Sequence, residues 1–179
     1  LISDGNTFFS NNEFEKAKEK YTEAVLFDDS NSLIKDRLKQ IGLEIEVKKY
    51  IQEAKASDEE KAIELYEKAF VLKPSDDLKN KLDNAKYNLR VKIGRKFQED
   101  KDYKNALLAY DDAKKIHNAD EINKLILEIA KTLEAQQEED KRNKADEMLK
   151  TIGKLEKENI YMAVEEYKKA LRLAPDDAD

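Results

Sequence analysis

The stretch that decides the fold is ALLAYDDAKKI, residues 106–116. It has alanine at 106, tyrosine four residues later, alanine at +7 and a large apolar residue at +10. The same series starts at three other alanines, each followed by its own tyrosine: Ala17 with Tyr21, Ala62 with Tyr66, and Ala163 with Tyr167. These offsets follow one face of an α-helix. Because alanine lets a neighbouring helix approach closely and tyrosine fills the gap one turn away, the pattern predicts four equivalent, closely packed helices with all four tyrosines facing the core.

A second apolar series follows each of the first three helices. Its members recur every three or four residues: Ile34, Leu38, Ile41 and Ile45; Leu78, Leu82, Ala85 and Leu89; Ile122, Ile126, Ile129 and Leu133. This spacing predicts helix, and no Gly or Pro cluster separates the series from the next repeat. The first helix of each later repeat is therefore predicted to be long. One example is a helix over 77–98, roughly 33 Å long, with its N-cap within 75–77.

The last interval between anchor alanines is the longest. The anchors are 45, 44 and 57 residues apart, so the last interval is 13 residues longer than the one before it. This surplus coincides with residues 134–147, which contain almost no apolar side chains. The segment is either the exposed middle of one long helix or a break near 140–143. Since no Gly or Pro occurs between Ala119 and Ile152, we favour the long helix.

Further residues of the repeat carry a resemblance to a known family. Gly5 and Gly94 lie twelve residues before an anchor, aromatic residues follow them, and Pro74 and Pro175 close two of the repeats. This pattern resembles the tetratricopeptide repeat, whose units recur about every 34 residues, in a variant with extended first helices. The resemblance implies an all-α, right-handed α-solenoid of antiparallel helix pairs. Its four repeats would span 1–30, 31–75, 76–118 and 119–179, the last with a 13-residue insertion.

The resemblance also implies a binding surface. Members of this family bind extended peptides or partner helices on the concave face, which the first helix of each pair lines. The residues that would line this face here are Asn6, Phe9, Ser10, Val91, Lys92, Arg95, Gln98 and Glu99. Phe9, exposed beside a core residue Phe8, is the expected anchor, since aromatic side chains dominate binding hot spots. The alternative is that Phe9 packs against a helix preceding this chain.

Some members of the family grip the C-terminal carboxylate of chaperone tails with a lysine and a Gly-Asn step. Gly5 and Asn6 match the Gly-Asn step, but Ile2 stands where the lysine belongs. Lys92 and Arg95 could take the place of the later cations, although the long repeat changes their geometry. We therefore do not expect chaperone-tail binding.

Composition excludes several classes of protein. The 179 residues include four glycines, two prolines, no cysteine and one histidine, His117. These numbers exclude a turn-rich β-fold, disulfides and cysteine-based metal centres. No apolar run reaches the roughly 18 residues of a membrane span. His117 follows an anchor helix, where a cation is favourable, and no catalytic motif accompanies it. We expect no enzyme activity, no cofactor and no metal.

Charge argues against nucleic acid as the partner. The net charge is −6, with 41% of the residues charged. The one basic stretch, Lys79–Lys96, spreads its charges over more than four helical turns, and we interpret it as a solvated face balanced by acidic neighbours.

The leading functional hypothesis is a non-catalytic scaffold that binds a protein or peptide partner on the concave face. The alternative is an architectural or oligomerisation module of a larger, envelope-associated bacterial protein, in which the chain would form homo-oligomers. The composition is that of a soluble domain and is compatible with the cytoplasm or the periplasm. Because the chain starts at Leu1 without a methionine, we expect it to be a piece of a longer protein.

Overall fold

The computed structural model of the protein describes residues 1–155 and 160–173. Within these ranges the chain forms eight α-helices and no β-strand, which confirms the all-α prediction. The helices are α1 (Ile2–Ser10), α2 (Phe14–Phe27), α3 (Ser32–Lys55), α4 (Glu59–Leu72), α5 (Asp76–Glu99), α6 (Tyr103–Ile116), α7 (Asp120–Leu155) and α8 (Ile160–Leu173). Pro175 lies outside the described residues.

The helices pack as neighbours in the sequence. α1 packs against α2, α3 against α4, and α7 against α8, while α2 also packs against α3. The predicted helix over 77–98 is observed as α5, and the Ser75 hydroxyl caps it by accepting a 3.3 Å hydrogen bond from the Leu78 backbone N–H. The predicted repeat boundaries fall in loops between helices, although the division into four repeats itself stays a prediction.

The chain forms two compact units, residues 1–92 with 115–117, and residues 93–114 with 118 onward. The first unit contains two hydrophobic cores, one around Tyr21 and one around Tyr66. In the second unit Tyr110 is fully buried, and a separate apolar cluster joins α7 to α8 through Ile152, Ala163 and Ala170.

The length of α3 has a structural reason, because this helix serves two cores. Ile34 and Ile41 in its N-terminal half belong to the core around Tyr21. Val47 and Ala54 in its C-terminal half belong to the core around Tyr66. Since successive residues lie about 100° apart around a helix, the residues of the first core and those of the second lie on different sides of α3, so the helix serves the two cores through two faces.

The middle of α7 confirms the prediction of a long, exposed helix. α7 runs over 36 residues, and every residue from Glu134 to Lys144 is exposed. Burial resumes at Ala145 and Ile152, and Ile152 packs against Ala163 and Ala170 of α8. About three turns of helix thus stand in solvent with no apolar face to protect.

One part of the repeat prediction is wrong. Tyr21, Tyr66 and Tyr110 are 2%, 9% and 0% exposed, whereas Tyr167 is 44% exposed. Ile160, the first residue of α8, is also exposed, at 64%. The physical reason is the missing cover. Each of the two cores in the first unit is completed by the N-terminal half of the next long helix. Among the described residues no helix follows α8, so no such half-helix covers Tyr167 and Ile160.

Candidate functional site

A cleft of about 530 Å³ opens in the first unit between α1 and α3. Tyr21 of α2 also contributes to its lining. The other lining residues come from α1 and from the start of α3: Ile2, Asn6, Asn31, Leu33, Ile34, Asp36, Arg37 and Gln40. Of the residues predicted to bind a partner, Asn6 alone is among the lining residues of this cleft.

Two contacts with Tyr21 position Asn6. The Tyr21 hydroxyl donates a hydrogen bond to Asn6 Oδ1. Gly5 allows this approach, because a Cβ at position 5 would lie 3.1 Å from the Tyr21 ring. The glycine and asparagine that the sequence analysis noted together thus hold α1 close to α2, and Asn6 reaches the cleft as a consequence.

Three amide side chains of the cleft have their oxygen atoms engaged inside the protein. Asn6 Oδ1 accepts from Tyr21, Asn31 Oδ1 accepts from the Ile34 backbone N–H at 3.3 Å, and Gln40 Oε1 accepts from Arg37 Nη1 at 2.8 Å. Their NH₂ groups are donors. Together with the Arg37 guanidinium, they outnumber the carboxylate that Asp36 contributes to the lining, so the cleft offers more donors than free acceptors, which suits a ligand that supplies acceptor oxygens.

Arg37 also changes the interpretation of Phe9. Phe9 is half-buried, with its ring edge-on to Phe14 at a centroid distance of 5.6 Å and the Arg37 guanidinium 4.8 Å above it. The expectation that Phe9 is exposed is therefore wrong, because groups from α2 and α3 cover part of its ring. Its role as a partner anchor and its packing against a preceding helix stay predictions. Phe8, predicted as core, is only half-buried as well. Ser10 is exposed, and its hydroxyl donates to the Asn6 carbonyl at 2.9 Å.

The start of α3 is positively charged. Lys35, Arg37 and Lys39 accompany a single acid, Asp36, whose carboxylate lies 3.8 Å from Lys39 Nζ. The Arg37 guanidinium is held by the Phe9 ring and by Gln40, contacts that fix its plane without neutralising its charge. The cleft therefore presents an oriented cation.

The remaining predicted residues all lie on α5 and already have contacts within the protein. Lys92 Nζ lies 2.6 Å from Glu59, and this hydrogen bond lowers the pKa of Glu59 and raises that of Lys92. Arg95 lies 3.3 Å from Glu121, and Gln98 Oε1 accepts a 2.8 Å hydrogen bond from Tyr110. The two other predicted residues are Val91, which is half-buried, and Glu99, which is exposed.

The basic stretch of α5 is balanced by acids, as predicted. Lys81 pairs with Asp77, and Lys86 Nζ lies 2.8 Å from Glu67. With the pairs of Lys92 and Arg95, these contacts distribute the positive charge among several acidic partners. This distribution supports the interpretation as a solvated face.

His117 packs against an aromatic ring at the end of α6. Its imidazole is edge-on to Tyr87 at a centroid distance of 5.5 Å, and its buried Nε2 has no hydrogen-bond partner. Among the described residues, no group of three or more His, Asp or Glu side chains is arranged to hold a metal ion. None of the described helices is both long and apolar enough to cross a bilayer.

The sequence analysis missed the α3 side of the cleft. Leu33, Arg37 and Gln40 recur at i, i+4 and i+7, so they form one stripe beside the apolar series of the same helix. That stripe was visible in the sequence, but the concave face was predicted only on α1 and on the C-terminal half of α5. No family model matches the chain, and no curated protein shows significant similarity to it.

Proposed function

We propose that the chain is a tetratricopeptide-like, right-handed α-solenoid that acts as a non-catalytic protein-interaction scaffold. In this proposal the cleft between α1 and α3 binds an extended peptide segment that carries an acidic side chain. The observation that carries the proposal is the donor-rich lining of the cleft, with the Arg37 guanidinium held over Phe9 beside Asn6 and Gln40.

The chemistry of these groups supports an acidic segment. Hydrogen bonds between a guanidinium and a carboxylate are stronger than those between neutral groups. The NH₂ groups of Asn6 and Gln40 would donate to the carbonyl oxygens of an extended backbone, which lacks partners of its own. The apolar side chains of Ile2 and Leu33, both exposed at the cleft, would cover the aliphatic part of the ligand.

The predicted residues of α5 would bind a ligand of their own only by exchanging partners. Lys92 and Arg95 would have to release Glu59 and Glu121 before they could bind a ligand carboxylate. Exposed ion pairs contribute only about 0–1 kcal/mol each, so a multivalent acidic ligand could displace them. These residues therefore stay in the proposal as secondary contacts.

The proposal can be tested with an array of synthetic peptides in which acidic residues are scanned through otherwise neutral sequences. We expect the wild-type chain to select peptides with Asp or Glu, and the variant Arg37→Glu to lose that selection. The matched control is Arg142→Glu, which makes the same change on the exposed segment of α7. Equal selection of acidic peptides by the wild type and Arg37→Glu would refute the proposal.

A further inference from the structure

The charged residues that line the cleft between α1 and α3 are one base and one acid. Arg37 and Asp36 both contribute to the lining. Lys35 and Lys39, which belong to the same turns of α3, are not among the lining residues. The start of α3 is therefore positively charged as a surface, but the cleft itself carries two opposite charges side by side.

The carboxylate of Asp36 is only weakly engaged inside the protein. The Lys39 ammonium nitrogen lies 3.8 Å away, which is too far for a hydrogen bond. The side chains of Asp36 and Lys39 are 71% and 81% exposed. An exposed ion pair of this kind contributes about 0–1 kcal/mol, so a cation supplied by a ligand can replace Lys39 at little cost.

The Arg37 guanidinium is engaged elsewhere, although Arg37 and Asp36 are adjacent in the sequence. It lies 4.8 Å from the centre of the Phe9 ring and donates a 2.8 Å hydrogen bond to Gln40 Oε1. Successive residues of a helix point about 100° apart, so Asp36 and Arg37 reach the cleft in two directions. The cation and the anion of the cleft are therefore available to two different groups of one ligand.

We propose that the peptide segment bound in this cleft carries a basic residue two positions from its acidic residue, and that Asp36 binds the basic side chain. This inference rests on the proposed function, because it assigns the second charge of the same ligand. In an extended segment, side chains two residues apart lie on the same side, about 7 Å from each other, whereas adjacent side chains point to opposite sides. The spacing of two follows because both charges of the ligand face one cleft.

A surface that merely attracts negative charge would select a different ligand. Lys35 and Lys39 lie outside the lining, and their long-range attraction would favour a second acidic residue in the peptide. The Asp36 carboxylate inside the cleft would repel that residue. Peptides with one acidic and one basic residue, compared with peptides that carry two acidic residues, therefore separate the two cases.

The test starts from a neutral peptide with a single glutamate that the array selects. Fluorescently labelled derivatives carry lysine, glutamine or a second glutamate two positions before or after the selected glutamate, and a further pair carries lysine directly beside it. Their affinities for the full chain are measured by fluorescence anisotropy. We expect the better of the two peptides with lysine two positions away to bind about two- to fivefold more tightly than its glutamine counterpart, the range for one exposed ion pair. The second glutamate and the adjacent lysine should give no such gain.

Variants of the chain assign the effect to Asp36. Asp36→Asn keeps the shape of the side chain and removes its charge, so it should abolish the preference for lysine over glutamine. The same variant should still prefer the glutamate peptide to its counterpart with glutamine in place of the glutamate. The matched control is Asp140→Asn, which makes the same change on the exposed segment of α7 and should leave both preferences unchanged. Circular dichroism checks that both variants are folded.

Three results would overturn this inference while the proposed function stands. The first is equal binding of the lysine and glutamine peptides to the wild type. The second is a preference for lysine that persists in Asp36→Asn. The third is tighter binding of the peptide with two glutamates than of the peptide with glutamate and lysine. If the wild type selects no acidic peptide in the array, the proposed function is refuted, and this inference is refuted with it.

Discussion

Replacing Gly94 by alanine tests the close approach of α5 to α6. A Cβ at position 94 would lie 2.5 Å from Tyr110 Cε1 and 2.7 Å from Cδ1, whereas favourable carbon–carbon contacts need about 3.5–4.0 Å. The Tyr110 ring cannot move aside easily, since it is fully buried and its hydroxyl donates to Gln98. The two helices must therefore separate by about an ångström at this point.

The expected cost follows from two opposing effects. Overpacking a well-packed core destabilises by about 1–3 kcal/mol. Replacing a glycine within a helix by alanine stabilises by roughly 0.5–1 kcal/mol. Because the contact at Gly94 is far below van der Waals distance, the overpacking cost should prevail, and we expect Gly94→Ala to lower the free energy of unfolding by about 1–2 kcal/mol.

The other glycines provide a graded control. Gly153→Ala in the same unit and Gly42→Ala in the first unit meet no atom within 4 Å and should stabilise, while Gly5→Ala, at 3.1 Å from Tyr21, should lie between the extremes. Urea unfolding followed by far-UV circular dichroism measures the series. The reasoning would be refuted if Gly94→Ala were as stable as Gly153→Ala.

Three further predictions concern the turns, the surface charges and α7. Lys101 has a φ of 60°, a left-handed conformation that costs a lysine about 1–2 kcal/mol. Lys101→Gly should therefore raise the free energy of unfolding, measured in urea, by about 1 kcal/mol. The control Lys104→Gly, inside α6, should not raise it. Hydrogen bonds from Lys61 and Lys68 lower the pKa of Glu64 to about 2. The stabilisation from this pairing is therefore fully present above the ordinary carboxyl pKa and is lost as pH falls through about 2. An NMR titration of the Glu64 carboxyl carbon should show this midpoint, and the midpoint should rise toward 4.5 when both lysines are replaced by alanine. Backbone amide hydrogens of residues 134–144 should exchange with solvent faster than those around Ile129 and Ile152, because every side chain of this segment is exposed. Equal protection of the two regions in hydrogen exchange would contradict this prediction.

The fold class was predictable because the relevant signals are local. Alanine and tyrosine at fixed offsets mark one helix face, and the scarcity of Gly and Pro leaves long helices intact. The 36-residue helix α7 followed from the same reasoning, since nothing between 119 and 152 would end it. These features depend on residues within a few turns of one another, and a sequence displays such residues directly.

The site was predicted only in part, because its lining depends on which helices meet. Asn6 lines the cleft, although its role in binding stays a prediction, whereas Phe9 was expected to be exposed and is packed against Phe14 beneath Arg37. No signal near Phe9 reveals Arg37, which lies 28 residues away in the sequence. Lys92 and Arg95 likewise find their acidic partners on other helices.

The sequence by itself determined that this chain is helical, that helices such as α5 and α7 are long, and which residues form apolar stripes, since backbone hydrogen bonding and side-chain periodicity act over short distances. The tertiary structure alone decided which apolar faces are covered. The motif around Ala163 and Tyr167 is the same as in the other copies, yet Tyr167 remains exposed, because burial requires a second helix that the motif cannot specify.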